Sequence, residues 1–175
     1  MLIALLLVAL ALAALLAYAA SRPSTFRIER ATRIEAPLPV VGALIDDFRE
    51  WQKWSPWERL DPSLERRFSG NGAGLGAIYE WKGNGKAGQG RMEITATTSS
   101  AITIRLDFIK PFAAHNTAEF RLAQVGDATD VDWAMFGPRP FAMKLFGVFM
   151  DMDSLVGKDF EAGLAAMKQV AERAA

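Results

Sequence analysis

Cysteine is absent from this 175-residue chain. That excludes disulfides, thiolate nucleophiles and cysteine-based metal sites. Histidine occurs once, at position 115, so a metal would have to be held by carboxylate oxygens. No acidic set converges: Asp151 and Asp153 diverge on a helical segment, Asp130 and Asp132 share the solvent side of a strand, and Asp46-Asp47 flank a helix end. No metal and no cofactor is expected. Excess charge is missing as well. Twenty basic and 20 acidic residues cancel, which points away from nucleic acid and offers no acidic tail to a cationic partner. Two catalytic signatures are also lacking. Gly70 to Gly76 alternates glycine with other residues, but no G-K-[S/T] follows and the next element is a strand, so it reads as a turn and not a phosphate loop. No G-x-S-x-G occurs, and Ser55 precedes Pro56.

What is present begins with an apolar run. Met1 to Ala20 has no ionisable side chain except Tyr18 and no glycine or proline. Twenty residues at about 1.5 Å each span roughly 30 Å of hydrocarbon. Arg22-Pro23 ends the run, and Tyr18 sits where an interfacial aromatic is favoured. Residues 1–21 are expected to be a transmembrane anchor, with residues 22–175 forming one domain. A cleaved signal peptide is the rival, since Ala17-Tyr18-Ala19 fits a cleavage pattern. No Lys or Arg precedes the run, and it exceeds the roughly 7–15 residues of a signal core. Arg22, Arg27, Arg30 and Arg33 follow it, so the positive-inside rule favours a cytoplasmic domain on a single-pass anchor.

The remainder alternates and then turns helical. Phe26 to Glu35 reads as a strand, and Pro37 and Pro39 stop it and can open a helix. Val40, Val41, Leu44, Ile45 and Phe48 recur at helical spacing. Strand signals follow at Leu64–Ser69, Ala77–Lys82, around Met92–Ala96, at Ile102–Phe108, Ala118–Leu122 and Val131–Met135. Gly83-Asn84-Gly85 and Gly126-Asp127 act as turns between them. After Gly137-Pro138-Arg139-Pro140 an apolar stripe runs from Leu145 through Phe149, Met152, Val156, Phe160, Leu164 and Met167 to Val170. One helix of some thirty residues, about 45 Å long, is expected. Strands followed by a long helix define an α+β fold, with the helix covering the apolar face of an antiparallel sheet.

Local motifs sharpen this reading. Trp51-Gln52-Lys53-Trp54-Ser55-Pro56-Trp57-Glu58, the glycine-led strand Gly74-Leu75-Gly76-Ala77-Ile78-Tyr79-Glu80-Trp81, and Val156-Gly157-Lys158-Asp159-Phe160-Glu161-Ala162-Gly163-Leu164 stand out. With Ile34-Glu35-Ala36-Pro37, they resemble the polyketide cyclase/dehydrase-like subgroup of the SRPBCC, or START-like, superfamily. The resemblance runs from Phe26 to the C-terminus. It implies a helix-grip fold: a curved antiparallel sheet of about six or seven strands wrapped on a long C-terminal helix. It also implies a cavity for a small hydrophobic ligand, lipid- or polyketide-like. Some relatives are cyclases or hydratases, and others only bind.

Aromatic residues are the candidates to line such a cavity. Tyr79, Trp81, Phe108, Phe120 and Trp133 fall on the apolar faces of successive strands, while Phe149 and Met152 lie on the helical stripe. Trp54 and Trp57 belong to a triplet with Trp51, spaced by three. That triplet could cap the cavity mouth, pack in the core or touch a membrane. These nine residues are the candidate ligand contacts. No catalytic residue is assigned. By strand parity His115 faces solvent or the rim; an enzymatic reading would use His115, Tyr79 or a buried carboxylate as acid or base. A non-catalytic interaction module at the membrane is the third reading.

Overall fold

A computed structural model describes residues 1–175. Helix α1 (Leu2–Ser21) leads into strand β1 (Thr25–Ile34). Two helices, α2 (Leu38–Asp46) and α3 (Trp51–Trp54), and a 3-10 turn (Pro56–Arg59) follow. Six strands come next: β2 (Glu65–Gly70), β3 (Ala77–Lys82), β4 (Gln89–Thr97), β5 (Ala101–Lys110), β6 (Ala114–Val125) and β7 (Ala128–Pro138). Helices α4 (Phe141–Phe149) and α5 (Met152–Ala174) close the chain.

All seven strands join one antiparallel sheet in the order β1-β7-β6-β5-β4-β3-β2. From β2 to β7 each strand pairs with its sequence neighbour through a short turn, the least costly connection available to antiparallel strands. The chain's first strand then adds beside its last, with Thr25 opposite Pro138 and Ile34 opposite Thr129. This α+β helix-grip arrangement is the one expected from the sequence.

Register gives the sheet two distinct ends. At one end lie the start of β1, the end of β7 and the β3–β4 and β5–β6 hairpins, since Lys82 pairs with Gln89 and Gln89 with Lys110. Because α1 enters here, it is called the proximal end. The β4–β5 and β6–β7 turns lie at the other, distal end. Helix α5 packs along β1 with its C-terminus distal, where Glu172 accepts from the Glu35 N–H at 2.9 Å. The distal half is solid. Ile34, Val41, Ile45, Ile94, Ile104, Phe120, Val131 and Met167 are all fully buried.

One feature corrects the sequence reading. The C-terminal helix is not continuous, because the backbone is extended at Met150 and Asp151. The Asp151 carboxylate accepts from the Asp153 and Ser154 N–H groups at 3.1 and 3.4 Å. It thereby caps α5 and makes a separate helix of α4. As the alternation implies, Arg30 shares the inner face of β1 with Ile28 and Ile34. Its guanidinium donates to Glu161 and Asp153 of α5 at 2.8 and 3.0 Å, so helix and strand are joined by charge there.

Candidate functional site

Tryptophan shapes the inner layer. The Trp51 and Trp54 indole N–H groups donate to the Ile45 and Leu44 carbonyls of the last turn of α2, at 2.9 and 2.8 Å. Carbonyls left free at a helix end are satisfied in this way, and α3 is locked onto α2. Pro56 then sets a tight turn that carries Trp57 and Glu58 over the sheet. Trp133 of β7 stacks between Phe120 and Phe160, with ring centroids 4.9 and 4.0 Å away. Its own indole N–H finds no acceptor, so packing against these rings and, edge-on, against Trp51, Trp54 and Trp57 holds it. Gly163 makes room for this on α5: a methyl group there would come within 2.9 Å of the Trp133 ring and 3.2 Å of Pro56.

An apolar cavity of about 250 Å³ opens in the proximal half, beneath the 3-10 turn. Fifteen of its eighteen lining residues are hydrophobic. Its size lies just below the roughly 300–1,000 Å³ usual for small-molecule pockets. Trp81 and Phe108 line it near the end of the sheet, Tyr79 and Met92 deeper in, and Trp133 at the back. Val156 and Phe160 of α5 form the opposite wall, while Leu60, Lys86 and Ala87 belong to the loops around it. Trp81 spans the strand gap at Gly90, and its indole N–H closes the β3–β4 hairpin on the Ala87 carbonyl at 3.1 Å.

One wall is polar. The Glu58 carboxylate is 7% exposed. It accepts the Tyr79 hydroxyl at 2.6 Å on one oxygen and Arg66 Nε at 2.6 Å on the other. Arg66 also donates to the Glu58 and Leu64 carbonyls, both at 3.0 Å. The trio ties the 3-10 turn to β2 and β3. Burial raises the Tyr79 pKa far above that of a free phenol, and the hydrogen bond to Glu58 raises it further, so the hydroxyl stays protonated. Next to this wall, Asp61 accepts from the Ser63 N–H and hydroxyl and from the Asn84 N–H at 2.9, 2.7 and 2.6 Å. These contacts pin the rim segment to the β3–β4 hairpin.

Of the nine residues expected to meet a ligand, Trp57, Tyr79, Trp81, Phe108 and Trp133 line this cavity. The other four stand elsewhere. Trp54 and Phe120 are buried in the packed core behind it, 1% and 0% exposed, because the indole of one is tied to α2 and the ring of the other stacks on Trp133. Phe149 and Met152 flank the α4–α5 break and turn outward, 73% and 38% exposed. His115 is also outside, its Nδ1 2.8 Å from Asp107 on the outer face. Glu58 escaped the sequence reading. It ends the tryptophan motif as an ordinary acidic residue, and only the β2–β3 pairing brings Arg66 and Tyr79 to it.

A curved antiparallel sheet gripped by a C-terminal helix, with an apolar chamber between them, defines the helix-grip class of START-like domains. The chain belongs to the family described as polyketide cyclase / dehydrase and lipid transport, whose sequence profile matches residues 25–172. No curated protein sequence matches it. Among solved structures, the Zhui aromatase/cyclase from Streptomyces sp. R1128 is similar with a TM-score of 0.60 at 16% identity, over 85% of this chain and 94% of that one. Protein CV1439 from Chromobacterium violaceum gives 0.59 at 15%, over 86% and 99%. The di-domain ARO/CYC protein BexL gives 0.59 at 16%, over 89% of this chain and 52% of its own length. At such identities the likeness shows the fold alone.

Proposed function

We propose that this protein is a membrane-anchored binder of a small hydrophobic molecule, with residues 1–21 as a single-pass anchor and residues 22–175 as the binding domain. The apolar cavity with one polar wall carries the reading. Trp57, Tyr79, Trp81, Phe108 and Trp133 would contact the ligand's apolar body, with Glu58, the Tyr79 hydroxyl and Lys86 meeting its polar end. Aromatic walls with few polar groups suit a lipid- or polyketide-like molecule. Support for the anchor is the length and composition of α1, which is long and apolar enough to cross a membrane. Four arginines after it favour a cytoplasmic domain. Extraction of the purified full-length protein followed by mass spectrometry tests the proposal. A stoichiometric lipophilic compound is expected, and a chain that retains none and takes up no lipophilic dye from vesicles would refute it.

A cyclase- or hydratase-type enzyme is the second reading, and one observation favours it: Glu58 and Tyr79, both titratable, line the cavity. The raised Tyr79 pKa suits this phenol to donating a hydrogen bond and not to abstracting a proton. Chemical change of a bound poly-β-ketone mimic that is lost in Glu58→Gln would support catalysis. Unchanged recovery of the mimic would leave binding alone.

A further inference from the structure

The proximal end carries an apolar surface that neither core nor cavity uses. Phe112, at the tip of the β5–β6 hairpin, is 80% exposed. On α4 and just beyond it, Phe141, Phe146, Phe149 and Met150 are exposed as well. Register places the Phe112 hairpin at the end of the sheet where the cavity lies, and α4 follows directly from the end of β7 at that same end. Arg22, Lys86, Lys110, Arg139 and Lys144 stand at the same end, and none of them has an acidic partner. Most other basic side chains of the domain are paired.

Helix α4 is fastened to α1. It packs on that helix, and the α1 residues withdrawn from the surface, half-buried Leu15 and buried Ala19, lie four apart on one face. At its start, the Arg139 N–H donates to the Ser24 carbonyl at 2.7 Å and Lys144 reaches Ser24 Oγ at 3.0 Å. Six residues separate Leu15 from the end of α1 at Ser21, which is about 9 Å of helix. If α1 crosses a bilayer, whatever packs on that face must lie at the depth of the headgroup–acyl boundary. Amphipathic interfacial helices bury their apolar face roughly 5–10 Å into that region. With Lys144 as its one charged side chain, α4 has the composition for it, and the Lys144 amine turns back toward the polar linker as a snorkelling lysine does.

We infer that α4 and the Phe112 hairpin form a second membrane contact, which seats the proximal end on an anionic phospholipid surface and turns the cavity toward the bilayer. A ligand would then pass between lipid and cavity without crossing water. Unpaired cations around the apolar patch match acidic headgroups, at about 1 kcal/mol for each basic residue near such a surface. This inference rests on α1 being a membrane span, and the test separates the two.

Because the chain has no cysteine, single labels can be placed in the full-length protein. Leu10→Cys, Phe149→Cys and Ser99→Cys, each carrying a nitroxide, would be reconstituted into phosphatidylcholine vesicles with and without phosphatidylserine. Access to lipid-soluble oxygen and to a water-soluble nickel chelate is then measured. The expected result is lipid exposure at positions 10 and 149 and water exposure at 99, on the distal β4–β5 turn. Position 149 should move toward water when phosphatidylserine is omitted or salt is raised. A label at 149 as wet as that at 99, with 10 in lipid, overturns the docking and leaves the anchor standing. A wet label at 10 removes the anchor and the docking with it. All three sites are exposed outside a membrane, so the substitutions leave the core intact.

Discussion

The Glu58 carboxylate makes the polar wall sensitive to single substitutions, because a buried charge is stable only with all its partners present. Arg66→Met should cost about 3 kcal/mol in urea unfolding, toward the low end of values for a broken buried pair, since a quarter of the Arg66 side chain meets solvent. Tyr79→Phe removes a single donor and should cost about 1–2 kcal/mol. The order of the two is the test: a larger loss for Tyr79→Phe would mean that the ion pair is not what holds the 3-10 turn. Gly90 makes a similar point about shape. A methyl group there would overlap the Trp81 indole and the Asp107 carbonyl, and overpacking of this kind costs roughly 1–3 kcal/mol. Gly90→Ala should therefore lower the urea midpoint and change the Trp81 emission. The sequence displays neither device. Alternation shows which way Trp81 faces, but the glycine opposite it is fixed by register, which no local pattern records.

At the scale of elements, legibility followed periodicity. Alternation gives Ala77–Lys82 its observed ends and the other strands to within a few residues or by their cores, because alternation over half-buried strands is a strong signal. The C-terminal stripe matches α5 from Val156 to Val170, but its extension back to Leu145 as one rod is not what the structure has. A stripe with helical spacing cannot register a two-residue break, since both sides of the break remain helical. The break is nonetheless written in Asp151 and Ser154, as an N-cap carboxylate with a hydroxyl three positions on that donates to it. This cap predicts a pH dependence. The Asp151 carboxyl is held below the ordinary carboxylate value, first by the Ser154 hydroxyl and then by backbone N–H groups. A lowered folded-state pKa means that the unfolded chain binds the proton more readily. The cap's contribution is therefore complete above about pH 4, the unfolded value, and fades as pH falls through the lower folded value. Asp151→Ala should melt below the wild type at neutral pH, with the gap closing in acid. A gap that persisted or widened at low pH would show that the carboxylate is not the stabilising form.

Across the whole molecule, packing is divided lengthwise. The distal half fills the sheet's concavity with aliphatic side chains from α2 and α5, whereas the proximal half, roofed only by the 3-10 turn and the first turns of α5, does not close. Nothing in the sequence distinguishes the halves, because cavity aromatics and core aromatics share the same strand faces. That is why Phe120 is indistinguishable from Trp81 and Phe108 until the strands are in register, whereas Trp54, on α3, is withdrawn by its bond to the Leu44 carbonyl. The division makes the sign of a small-to-large substitution depend on position. Ala118 lines the cavity, and Ala171, 0% exposed, lies in the filled half. A ring added at 118 enters empty apolar space, where full burial of a large side chain is worth about 1.5–3 kcal/mol before strain. The same ring at 171 has nowhere to go and should cost about 1–3 kcal/mol. Ala118→Phe should therefore raise the melting temperature of the ligand-free protein by a few degrees, at roughly 2–4 °C per kcal/mol for a chain of this size. Ala171→Phe should lower it. If the chamber is the binding site, the stabilised variant is also the one that loses its lipophilic cargo in extraction, because open space that weakens the fold is what admits a ligand. Destabilisation by both substitutions would mean that the proximal half is packed as tightly as the distal, and the binding proposal would have no space to work with.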